Sequence, residues 1–208
     1  MAFAIVTAFL LMCIFYLLYQ RIKRRPGTSK GLQIAVKCAA TAMAAAVALT
    51  GCLLNATAAH WVLLAGLVTC TAADGIPCVH FMAGGAVFAL GHVLYITAFC
   101  HMRRPDRYSA ILFLCLAGLA AACFIRFRRH IGHRLPFVCA YAAVLIAMLA
   151  LASAQAPLYF AGALLFTFSD ALLGWLLISG SRQLWLDYLS LGAYYLGQFL
   201  LGLAAVVS

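Results

Sequence analysis

The sequence contains no glutamate and only four aspartates, Asp74, Asp106, Asp170 and Asp187, against fourteen lysines and arginines. Charged residues of either sign make up only 9% of the chain, and 67% of it is hydrophobic at a mean hydropathy of +1.08. Soluble domains carry charge on about a quarter of their residues, so this composition excludes one and indicates an integral membrane protein. Long polar or low-complexity linkers are missing too, which leaves a single transmembrane domain over 1–208. The nine cysteines stand singly at 13, 38, 52, 70, 78, 100, 115, 123 and 139 with no CxxC pair, the pattern of small apolar packing residues rather than of disulfides or zinc ligands. His130 and His133 have a metal-compatible spacing but no Cys or His partners nearby, and neither a metal nor any other cofactor is expected.

The excess of base, +10, would suggest nucleic acid in a soluble chain. Here the basic residues gather in short loops between apolar runs, as the positive-inside rule expects, so membrane lipid is the expected partner and nucleic acid is not. The N-terminal run lacks a basic region ahead of it, its charges following as "RIKRR", and reads as a retained first span.

A membrane-crossing helix needs about 20 apolar residues, and cutting the chain at its loop signals gives an all-α bundle of about eight spans: 3–19, 32–54, 60–80, 81–101, 108–125, 135–153, 157–180 and 184–206. The cut near residue 80 carries no charge and rests on Pro77 and Gly84/Gly85; a seven-span chain with one broken helix is the alternative. On the eight-span count one side holds Arg21, Lys23, Arg24, Arg25, Lys30, Arg126, Arg128, Arg129, Arg134 and Arg182, and the other Arg103, Arg104 and Arg107. This bias predicts both termini outside the cytoplasm of a bacterial inner or cell membrane.

Two of the four acids fall in apolar runs, where an ionised side chain costs roughly 2.5–3.5 kcal/mol at the bilayer centre and persists only if paired, protonated or used. "AGLVTCTAAD" (65–74) and "AGALLFTFSD" (161–170) both open with Ala-Gly and close on Asp, and Gly91 pairs with Gly192 once five inserted residues are allowed. The halves 1–101 and 108–208 then read as parallel four-helix repeats about an axis along the membrane normal. Equivalent spans face such an axis at equal depth, so Asp74 and Asp170 are expected to approach one another. Two carboxyl groups in a low-dielectric cavity share a proton, leaving an acid beside a base.

Other polar residues lie within reach of that centre. Lys37 is the only basic residue well inside a span and serves either as a snorkelling side chain or as a partner of the acids. His92 and Tyr95 are three apart and share a helix face. Tyr141 sits near mid-span, and Tyr194, Tyr195, Gln198 and Ser169 are further candidates; Trp175 fits an interfacial belt or a headgroup pocket.

In chain order, an Asp before a Gly/Pro break, "GHVLYITAF", "SDALLGW" and "YYLGQFLLGLA" resemble the YhhN family, which includes the mammalian transmembrane lysoplasmalogenases. The resemblance covers roughly 30–204 and is most specific at Gly91-His92-x-x-Tyr95 and Ser169-Asp170-Ala171-Leu172-Leu173, with Lys37 at the family's second-span lysine. Cys38 stands where the family commonly has Pro, and Ala73 where it has Gly. The resemblance implies hydrolysis of the vinyl-ether bond of a lysophospholipid-type substrate, a lysoplasmalogen, to a fatty aldehyde and a glycerophospho-base. Such a bond hydrolyses by protonation of its β-carbon, a task for a protonated carboxyl group beside an anion. Asp74 and Asp170 are then the catalytic pair, Asp170 the acid because "LLFTF" and "ALLGW" around it are the more apolar. Lys37 would keep Asp74 ionised, and His92 and Tyr95 would position water or the glycerol hydroxyl. A proton-coupled transporter or lipid-binding bundle is the rival from another class; an intramembrane aspartyl protease and a purely structural use of both acids are weaker ones. Oligomeric state is not encoded in any of these features.

Overall fold

The structure is a computed structural model describing residues 1–76, 81–180 and 183–207. It is all-helical, with no strand among the described residues. The helices are α1 (Ala2–Ile22), α2 (Lys30–Asn55), α3 (Ala58–Gly75), α4 (Phe81–Met102), α5 (Arg107–Ile131), α6 (Leu135–Ala152), α7 (Pro157–Ser179) and α8 (Leu184–Val207). Only a 3-10 turn, Gly132–Arg134, separates α5 from α6, so the described residues form seven continuous helical segments. Six are long and apolar enough to cross a membrane: α1, α2, α4, the joined stretch Arg107–Ala152, α7 and α8. Helix α3, with Asp74 and His60 in its 18 residues, is the segment that does not qualify.

Local chemistry sets these boundaries. Ser29 caps α2 and Thr57 caps α3, each side chain accepting from a backbone N–H in the first turn. Asp106 does the same for α5, accepting from the backbone N–H of Ser109 at 2.8 Å and from its hydroxyl at 3.0 Å; these bonds hold its carboxyl below the usual range. Gly132, at φ +61, takes the left-handed backbone that side-chain-bearing residues avoid and turns α5 back onto α6. The turn expected at Pro77 lies outside the described residues, as does Arg182. Gly84 and Gly85 belong to α4 rather than to a turn before it.

Packing arranges six of the helices as a closed ring in the order α2, α3, α4, α6, α7, α8, with α8 returning to α2. Helix α1 lies outside against α2 and α8, and α5 lies outside against α6. Helices α3 and α7, which carry Asp74 and Asp170, occupy opposite places in the ring. The hairpins close where glycine lets backbones touch: a Cβ at Gly66 would sit 3.2 Å from the Gly91 carbonyl, and one at Gly162 or Gly197 would sit 2.9 or 2.8 Å from the other's carbonyl. Gly197 is therefore the packing counterpart of Gly91; Gly192 faces Tyr16 on α1, so the sequence alignment of 91 with 192 is off by five residues. The α2/α8 crossing is tighter still, with added Cβ atoms at Gly51 and Gly202 falling 2.3 Å and 2.4 Å from the carbonyl oxygens of Ala205 and Ala44. Small residues at such crossings are the membrane's substitute for a hydrophobic drive, since lipid tails are as apolar as leucine.

Leucine at Gly51 should force α2 and α8 apart and cost about 1–3 kcal/mol, the usual penalty of overpacking. Thermal unfolding in detergent should show a clear loss for Gly51→Leu and none for Gly118→Leu, because a Cβ at Gly118 meets nothing within 4 Å.

Candidate functional site

Asp74, in the last turn of α3, is completely buried. Its Oδ1 lies 3.0 Å from the Lys37 ammonium of α2, and its Oδ2 accepts from the Tyr194 hydroxyl of α8 at 2.9 Å and from the Thr41 hydroxyl, one turn beyond Lys37. Two hydroxyls and a cation thus replace the water that an ionised carboxylate loses on burial. A charge at this depth is tolerable only on those terms. Lys37 keeps 15% of its side chain exposed and reaches the acid with its stem along α2.

Asp170, near the middle of α7, has a different setting. The protein only part-covers it, and its Oδ2 accepts from the hydroxyl of Tyr141 on α6. Thr41 and Tyr141 play matching parts, each on the helix before the acid and each donating a hydroxyl to it. One turn earlier stand Lys37 and Phe137, and here the match ends: Phe137 stacks on Tyr141 and brings no charge.

Between the acids lies a sealed polar cluster. The Tyr95 hydroxyl donates to Gln198 Oε1 at 2.7 Å, and the Cys70 thiol lies against both side chains. His92 Nδ1 carries the ring proton and donates it to the Phe88 carbonyl at 2.6 Å, because a carbonyl can only accept. That fixes the tautomer and leaves Nε2 as a bare lone pair. The ring is wedged against Tyr95, Tyr141 and Phe166. His92 Nε2 and Gln198 Nε2 are both buried without a hydrogen-bond partner among the described residues, a base and a donor held open in an apolar interior.

The YhhN family model matches residues 32–205, most of the sequence. The chain belongs to the YhhN family. No curated protein and no solved structure matches it. Asp74, Asp170, Lys37, His92, Tyr95, Tyr141, Tyr194, Tyr195, Gln198 and Ser169 all fall within the matched stretch.

The structure brings Lys37, Tyr194 and Asp74 into one contact set, Tyr141 and Asp170 into a second, and His92, Tyr95 and Gln198 into a third between them. Two candidates stand apart. The Ser169 hydroxyl lies 3.4 Å from that of Ser190, whose hydroxyl in turn donates to the Ser169 carbonyl at 3.1 Å, tying α7 to α8. Tyr195 donates at 3.4 Å to the Lys37 carbonyl and packs edge-on to Tyr16, which positions α2 rather than either carboxylate. Two participants escaped sequence reasoning. Thr41 was detectable as the residue one helical turn past Lys37. Cys70, one turn before Asp74, looked like its eight apolar counterparts, and nothing in the sequence marks it out. Among the described residues no three His, Cys or Asp side chains converge as metal ligands.

Methionine at Lys37 would leave the Asp74 carboxylate buried without its cation, a change that typically costs about 3 kcal/mol or more. Lys37→Met should therefore lower thermal stability sharply, and adding Asp74→Asn should restore much of the loss. Simple additivity of the two substitutions in unfolding measurements would contradict the pair.

Proposed function

We propose that this YhhN-family protein is a membrane-embedded hydrolase that cleaves the vinyl-ether bond of lysoplasmalogens. The observation that carries the reading is the unequal pair of acids: Asp74 sealed and ion-paired with Lys37, Asp170 part-open with only a phenol beside it. Asp170 gives its proton to the β-carbon of the vinyl ether, whose double-bond electrons form the new C–H bond and leave an oxocarbenium ion. The Asp74 carboxylate stabilises that cation in a low-dielectric cavity, where a fixed charge acts more strongly than in water. Water held by the Gln198 amide attacks the cationic carbon and yields its proton to His92 Nε2. The hemiacetal then collapses: its hydroxyl proton returns to Asp170, the C–O bond to glycerol breaks, and the departing oxygen takes the proton from His92. One water is consumed, and aldehyde and glycerophospho-base leave.

The wider architecture belongs to the same proposal. Eight spans follow if α3, about 27 Å long, crosses with its neighbours and if α5 and α6 count separately. In favour of the latter, α5 and α6 pack side by side, as only a reversed chain can. Parallel repeats of the halves find support in the ring order, since exchanging α2, α3 and α4 with α6, α7 and α8 returns the same ring with α1 and α5 outside. Both termini lie outside the cytoplasm on this count, and the acids sit in the half of the bundle nearer the basic loops.

Asp74→Asn and Asp170→Asn should each abolish aldehyde release from a lysoplasmalogen in reconstituted membranes, and Tyr141→Phe should slow it, with expression intact in all three. Full activity in either Asn variant would overturn the two-acid scheme. Accumulation of intact substrate in the vesicles would point to transport instead. A fluorescent reporter fused to the C-terminus should stay dark on the proposed topology, and a bright cytoplasmic reporter would reverse it.

A further inference from the structure

Helices α5 and α6 enclose a groove of about 510 Å³ on the side of α6 away from Tyr141 and the acids. Phe113, Ala117 and Ala121 of α5 and Leu135 and Ile146 of α6 line it, and Arg128 stands at its far end. From Phe113 to Arg128 the groove follows fifteen residues of α5, about 22 Å of helix, roughly half as much again as the ~15 Å depth of one leaflet's hydrocarbon. All lining atoms except the guanidinium and backbone belong to apolar side chains. Three more arginines, Arg126, Arg129 and Arg134, are exposed at the same end.

We infer that this groove is a binding site for an anionic phospholipid, one acyl chain lying along it and the phosphate meeting Arg128. Charge complementarity singles out this occupant. A second copy of the chain has no acid to offer those arginines: glutamate is absent, Asp74 and Asp170 are inside the ring, Asp187 is held by Lys23 at 2.8 Å and Arg24 at 3.5 Å, and Asp106 caps the opposite end of α5. The anion must therefore come from outside the protein, and at that depth the available anion carrying an apolar tail is a lipid phosphate. A planar guanidinium offers it two parallel N–H donors. Basic pockets between helices on the cytoplasmic side commonly take such headgroups. Because the groove lies outside the ring, it is separate from the proposed hydrolase site and stands or falls independently of it.

The test is native mass spectrometry of the full chain in neutral detergent, titrated with dioleoyl phosphatidylglycerol and in parallel with dioleoylglycerol, which has the chains but no phosphate. The wild type should retain one phosphatidylglycerol and little dioleoylglycerol. Arg128→Gln should weaken retention by about tenfold, the scale of one lost hydrogen bond to a charged group. Ala121→Phe, which fills the groove from the lipid-facing surface, should abolish it, while Arg21→Gln, at an exposed arginine away from the groove, should retain it. Equal retention of the two lipids, unchanged retention in Arg128→Gln, or loss of a dimer instead of a lipid adduct in Ala121→Phe would each overturn the inference.

Discussion

The contact between Lys37 and Asp74 is the constraint around which the bundle is arranged. An apolar ring of helices cannot hold an unpaired charge, so α2 and α3 must bring the two side chains together before either can be buried. The hydroxyls of Thr41 and Tyr194 then complete the shell, which fixes α8 against the same pair. Three of the six ring helices are thus registered to one another by a single carboxylate. The glycines at the α2/α8 crossing let the backbones come close enough for it.

Helices α3 and α7 take corresponding places in the ring, and the departures between their acids are informative. Both halves place an acid on the third helix and a hydroxyl donor on the second, yet only one half supplies a cation. With Lys37 at one position and Phe137 at the other, the two carboxyl groups have the same frame and unlike electrostatics. That is the general condition for two chemically identical groups to serve as acid and base at one pH.

Much of this arrangement was legible in the residues. Hydropathy marked the helices, and the rarity of acid in apolar runs marked Asp74 and Asp170 as worth explaining. The recurrence of Ala-Gly before each Asp led to the expectation that the two carboxylates meet; the structure gives each its own partners instead. What the sequence withheld has physical reasons. Which tyrosine meets which acid depends on helix rotation, so Tyr141 and Tyr194 sorted to different carboxylates while Tyr195, next in chain, turned towards Tyr16 and the α2 backbone. Gly91 was matched with Gly192 because leucine- and glycine-rich helices align almost equally well in several registers; only backbone approach distinguishes Gly197. The boundary near residue 80 lacks charge, and its glycines proved compatible with helix.

The glycine contacts within the α3/α4 and α7/α8 hairpins have a mechanical consequence. Where backbone meets backbone there are no side-chain rotamers to take up slack, so each hairpin moves as one stiff plate. The placement of Asp74 on α3 relative to Asp170 on α7 can then change only by sliding or tilting plates against each other. That placement is set at the seams filled by side chains, and one of these is the seam where Tyr141 reaches across from α6 to Asp170.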